Sequence, residues 1–107
     1  MNHHFKLLHE DTEYLTRAQG VRVRAKLETL VNGLAQDDRL VIDFEGVQVM
    51  TPSFADECFG KLAQGMGFAT FRQRITLIGA NETNRILVNA ILAERSSASS
   101  SVNALSR

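Results

Sequence analysis

Few side chains in this sequence have types and spacing that could do chemistry. They are Cys58, Ser53, Asp43, the adjacent acids Asp56 and Glu57, histidines at 3, 4 and 9, and a basic run of Arg17, Arg22, Arg24 and Lys26. Cys58 could act as a nucleophile only if a nearby cation or base lowered its pKa. At helical spacing it falls instead with Phe54 and Leu62 on an apolar side, so core packing is expected. Asp56 and Glu57, adjacent on one helix, point about 100° apart and cannot face each other as an acid and base. Near a helix start their charge already suits the macrodipole. His3, His4 and His9 have no cysteine or carboxylate at a ligand spacing, and neighbours on a strand point to opposite faces, so no metal site is expected. The basic run lies between Glu13 and Glu28 without interleaved aromatics, the pattern of a solvated helix face.

Ser53 is different because of what precedes it. Thr51-Pro52 is a helix start, with Thr as the N-cap and Pro at the first helical position. Ser53 is then the second helical residue, on the solvent side. It reads either as a plain N-terminal serine, or the cap itself, or as a phosphoryl acceptor whose phosphate would meet free backbone N–H groups. On the residues alone the plain serine is the better reading.

No GxxxxGK[ST], GxGxxG, GxSxG or HExxH pattern occurs, so neither an enzyme nor a cofactor is expected. Twelve basic residues balance twelve acidic ones, which argues against a protein that neutralises many nucleic-acid phosphates. No apolar run approaches the roughly 20 residues of a membrane span. The start, MNHHFKLLHEDTE, turns acidic where a secretory leader needs its apolar stretch, so a cytoplasmic location is expected.

The elements that must position these residues follow from periodicity. Phe5–Leu8 reads as a first strand, and Thr16 with Gln19 as a capping box. A helix follows, its stripe made of Val23, Leu27, Leu30, Val31 and Leu34, with Gly20 on the same stripe permitting close approach of a packing partner. Leu40–Phe44 is a strand apolar on both faces except at Asp43, and Val47–Met50 continues extended. The second helix puts Phe54, Ala55, Cys58, Phe59, Leu62 and Met66 on one side and Ser53, Asp56, Glu57, Gly60 and Gln64 on the other. Arg74–Gly79 reads as a strand. A third helix, capped by Asn81 or Thr83, runs through Ile86, Leu87, Ala90 and Ile91 to near Arg95. The result is one α/β domain of order β-α-β-α-β-α over residues 1–95, with a mixed sheet of about four strands, followed by a serine-rich disordered tail at 96–107. The loop at Met50–Ser53 follows a strand, where α/β sheets place their sites.

The run LVIDFEGVQVMTPSFADECFG resembles the central segment of STAS domains, the sulfate-transporter and anti-sigma-factor-antagonist fold. The closer likeness is to the STAS-like family of unknown function, through Arg17 and Gly20 at the first helix, Asp43-Phe44, and Ser53-Phe54-Ala55-Asp56-Glu57. Ser53 falls where anti-sigma factor antagonists carry their phosphorylated serine, although Pro52 and Phe54 replace that motif's flanking Ser and Gly. The final strand and helix of a full STAS domain have no counterpart. The resemblance implies a bacterial, non-enzymatic regulatory module for protein–protein interaction, switched by phosphorylation at Ser53. Its partner would be an anti-sigma or histidine-kinase-like ATPase, met through Thr51, Ser53, Asp56, Glu57 and Gly60, with a homodimer as a further partner state. The alternatives are a small enzyme or ligand-binding domain using Cys58 or Asp43, and a nucleic-acid-binding regulator using the basic first helix.

Overall fold

Strand β2 (Arg39–Asp43) is the axis of the structure, a computed structural model that describes residues 1–9 and 13–105, with side chains described as far as Ser97. Its continuous apolarity is explained by its position. β1 (Asn2–Lys6) pairs with it on one side and β3 (Ile75–Ile78) on the other, both parallel. The first strand thus begins and ends earlier than the apolar run Phe5–Leu8 suggests. The register aligns Phe5 with Ile42 and Leu40 with Ile75, and these residues face the core. Val41 is also buried but stands outside that core cluster, on the opposite face.

Among the described residues the sheet has three strands, all parallel, instead of the mixed sheet of about four expected. The extended segment Val47–Met50 joins no strand among the described residues, and side-chain amides take the carbonyls of Val47 and Gln48. Asn84 Nδ2 donates to Val47 O at 3.2 Å, and Asn81 Nδ2 donates to Gln48 O at 3.1 Å. Asn84 is buried for that purpose.

Helix α1 (Arg17–Asn32) starts at the expected capping box, with Thr16 Oγ1 accepting from Gln19 N–H and Gln19 Oε1 accepting from Thr16 N–H. The chain then forms α2 (Pro52–Ala55), a π-helical turn (Asp56–Gly60) and α3 (Lys61–Met66) as one continuous helical run. Within the turn Lys61 N–H reaches back to Asp56 O, one residue further than in an α-helix. Phe44, Phe54 and Phe59 anchor this run to the sheet, with Phe44 stacked on Phe59 at 5.2 Å. A short helix α4 (Phe68–Arg74), not foreseen from the sequence, leads into β3 after Gly67, whose φ of 90° suits glycine.

Helix α5 is assigned over Glu82–Leu105, capped by Asn81 Oδ1, which accepts from Asn84 N–H at 2.8 Å. It therefore runs past the end expected near Arg95 and into the serine-rich stretch expected to be a tail, which contains no Gly or Pro to stop it. Residues 106–107 lie outside the described residues. The inward face of α5 also differs from the expected stripe. Val88 is buried and Leu87 and Ile91 are half-buried, whereas Ile86 and Ala90 are exposed.

Candidate functional site

The site forms where the loop after β2 meets the start of α1. Thr51 is extended, and its Oγ1 accepts from Phe54 N–H at 3.2 Å while donating to Leu15 O at 2.6 Å. Thr51 N–H donates to Tyr14 O at 3.0 Å. One threonine thus caps the second helix and ties it to the residues just before α1. Ser53 stands exposed in the first turn. It lies on a cleft of about 460 Å³ lined also by Arg17, Asp56, Ile91, Glu94 and Arg95.

An ionic network underlies this rim. Arg95 holds Asp56 with both arms of its guanidinium, Nε to Oδ1 at 2.6 Å and Nη2 to Oδ2 at 2.9 Å. Arg17 Nη1 bridges Asp56 Oδ2 at 3.0 Å and Glu57 Oε1 at 3.3 Å. Glu57 is also paired with Arg24 at 3.3 Å and Lys61 at 3.0 Å. The bidentate Arg95, aided by Arg17, holds the Asp56 carboxyl down at about 2 against the opposing effect of partial burial. Lys61 first, then Arg17, lowers the Glu57 carboxyl. The two acids hold α1, the π-helical turn and α5 together.

The expected contact face is therefore rearranged. Thr51 and Asp56 are half-buried and Ser53 is exposed, but Glu57 is only 5% exposed and Gly60 is buried. A plain helical wheel puts the last two toward solvent. The run is instead flanked by α1 on one side and α5 on the other, and the extra residue of the π-helical turn offsets the wheel. Gly60 does permit a close approach, and the approaching group is Arg95 of the same chain: a Cβ at Gly60 would lie 2.8 Å from Arg95 Nε. Gly20 does the same for α1, since a Cβ there would lie 3.0 Å from Phe54 O. Phe54 is fully buried, in edge contact with Tyr14.

Asp43 lies apart from this cluster. Its Oδ1 accepts from Glu45 N–H at 2.9 Å and forms the turn after β2, against Gly79 with φ 74°. Cys58 is fully buried, and burial pushes its thiol well above the ordinary range. His3 Nε2 lies 2.9 Å from Asp38 Oδ2, His4 is exposed, and the side chain of His9 lies outside the described residues. Among the described residues no group of three His, Cys, Asp or Glu side chains is placed to hold a metal. Of the basic run, Arg17 and Arg24 are committed to the acids. Arg95 is the residue that sequence reasoning missed. Its signal was that a cation continues the Val88–Ile91 stripe of α5.

The profile of the STAS-like domain of unknown function (DUF4325) matches residues 19–85. This chain belongs to that family. The match contains Gly20, Asp43-Phe44 and Ser53–Glu57. Two components of the ionic network, Arg17 and Arg95, lie outside it. No curated protein and no solved structure matches the chain significantly. No helix among the described residues of this STAS-like domain is long and apolar enough to cross a membrane.

Proposed function

We propose that this STAS-like domain is a non-enzymatic protein-binding module of the cytoplasm, with Ser53 as its control point and an anti-sigma or histidine-kinase-type ATPase as its partner. The observation that carries this reading is the division of labour at the helix start. Thr51 makes the cap, and Asp56 is held by Arg95 and Arg17, so the helix start does not depend on the exposed Ser53 for its capping. A phosphate there would meet the positive end of a helix and add about −1.5 to −2 charges to the rim beside Asp56. It would change the surface without changing the fold, because the network beneath is already satisfied.

The contact surface in this reading is the rim of Ser53 and Asp56, with Thr51 behind it. Glu57 and Gly60 support it from below. Cys58 has neither access nor a lowered pKa, which leaves the small-enzyme alternative without a nucleophile at that position.

The test is calorimetric binding of a histidine-kinase-type ATPase from the same host to the wild type, Ser53→Ala and Ser53→Asp. The alanine variant should bind as the wild type does. The aspartate should weaken binding at least several-fold, and peptide mapping of protein from the host should locate phosphate on Ser53. Equal affinity of both variants would end the proposal that Ser53 is the switch.

A further inference from the structure

Among the described residues the sheet ends at β3, and this edge is chemically unusual. Phe44 N–H donates to Ile78 O at 2.8 Å, so the peptide groups of Ile78 point toward β2. Alternation along a strand then turns the N–H and C=O of Leu77 outward, to the open edge. The strand itself, Ile-Thr-Leu-Ile, carries no charge, whereas exposed edges are normally protected by charged residues, proline or bulges. Ile78 is 40% exposed, and a cleft of about 250 Å³ lies between the strand and α5, lined by Leu77, Ile78, Asn84, Arg85 and Val88. The other edge strand, β1, is shielded differently, since its sequence NHHFK is polar and ends in Lys6.

We propose that this edge pairs antiparallel with the same edge of a second copy, on a twofold axis through Leu77, to give a continuous six-stranded sheet (two sheets of three strands). Leu77 of each copy exchanges both backbone hydrogen bonds with Leu77 of the other, and Thr76 stands opposite Ile78 of the second copy. Charge complementarity selects a second copy in this orientation. Arg72 stands at the N-terminal end of β3, where Arg74 is turned inward and donates to Ala35 O and Asp38 O. At the C-terminal end, Glu45 after β2 and Glu82 at the start of α5 outnumber Arg85. Antiparallel pairing carries each basic end over the acidic end of its neighbour. A parallel pairing would set like charges together. A chain with no net charge also presents no overall repulsion to its own copy. This interface shares no residue with the Ser53 rim, so it stands or falls independently of the switch reading.

Sedimentation equilibrium of the full chain tests it, with circular dichroism confirming that each variant is folded. The wild type should dimerise. Ile78→Lys, at an exposed position, should raise the dimer dissociation constant roughly tenfold or more by placing unpaired charge in the ribbon. Arg72→Glu should also weaken the dimer, and combining it with Glu82→Arg should restore it. A wild type that stays monomeric at its highest soluble concentration overturns the proposal. So does a dimer indifferent to Ile78→Lys, because its interface lies elsewhere. Failure of the charge swap to restore association overturns the antiparallel arrangement.

Discussion

Arg95 lies across Gly60 and grips both carboxylate oxygens of Asp56, joining the last helix to the helical run that carries Ser53. Its remaining nitrogen, Nη1, reaches Gln64 Oε1. Because the glycine has no side chain, the guanidinium can lie flat against the helix backbone. Both partners are partly buried, with side-chain exposures of 23% and 24%, so the pair is screened less than a surface salt bridge. Arg95→Met should cost about 1–3 kcal/mol in urea unfolding, because Asp56 keeps only Arg17. Asp56→Asn combined with it in a double-mutant cycle should reveal a coupling of about 1–2 kcal/mol. Additive single effects would mean that the bidentate contact contributes nothing beyond packing.

The same pair sets an acid limit on stability. The Asp56 carboxyl is lowered from 3.8 to about 2 on folding, with Arg95 as the leading cause. A group whose folded pKa is depressed contributes stability that is complete above its unfolded pKa and is lost as pH falls through the folded one. The contribution of Asp56, about 2 kcal/mol by linkage, should therefore disappear between roughly pH 4 and pH 2. Glu57 shifts in the same direction and adds to the loss. Urea midpoints measured across this window should fall more steeply for the wild type than for Arg95→Met, and the two should converge at the acid end.

Three helical glycines should respond to alanine in a fixed order. In each case alanine gains about 0.5–1 kcal/mol of helix propensity, and the surroundings decide the sign. At Gly65 a Cβ meets nothing within 4 Å, so Gly65→Ala should stabilise by about that amount. At Gly60 it meets the side chain of Arg95, which can shift at the cost of its grip on Asp56. At Gly20 it meets Glu57 Cβ at 2.9 Å, Phe54 O at 3.0 Å and Cys58 N at 3.3 Å, where the neighbouring helix must move as a whole. Thermal unfolding should rank the variants Gly65→Ala, wild type, Gly60→Ala and Gly20→Ala in decreasing stability. Gly20→Ala at or above the wild-type stability would contradict the close packing of the two helices.

The parts of this fold legible in the sequence are those set by residues close together along the chain. Thr16 with Gln19 and Thr51 with Phe54 are three residues apart, and each forms the cap its spacing announces. Burial of β2 follows from its apolarity, and the closeness at Gly20 from its place on the stripe. What could not be read is long-range. Arg95 and Asp56 are 39 positions apart, and nothing near either names the other. The burial of Glu57 requires knowing that α1 and Lys61 supply three cations around it and that the helix adds a residue through a π-helical turn. Val47–Met50 has strand-like residues, and only the tertiary positions of Asn81 and Asn84 reveal that the carbonyls of Val47 and Gln48 are taken by side chains.

Cys58 offers a sharp probe of this packing. Its side chain is fully buried between α1 and the sheet side of the helical run, and desolvation disfavours the thiolate. Thiolate is the species that attacks disulfide reagents, so both access and ionisation oppose reaction in the folded state. A chromogenic disulfide reagent at neutral pH should leave the native protein unlabelled over minutes and titrate one thiol once denaturant is added. Under native conditions the slow labelling rate should track global unfolding, and its logarithm should rise in Arg95→Met in proportion to that variant's lost stability. Cys58→Ser should destabilise by about 1–3 kcal/mol, because it replaces an apolar sulfur by a hydroxyl at a fully buried position. Rapid stoichiometric labelling of the folded wild type would instead place the thiol at an accessible site and reopen the case for covalent chemistry.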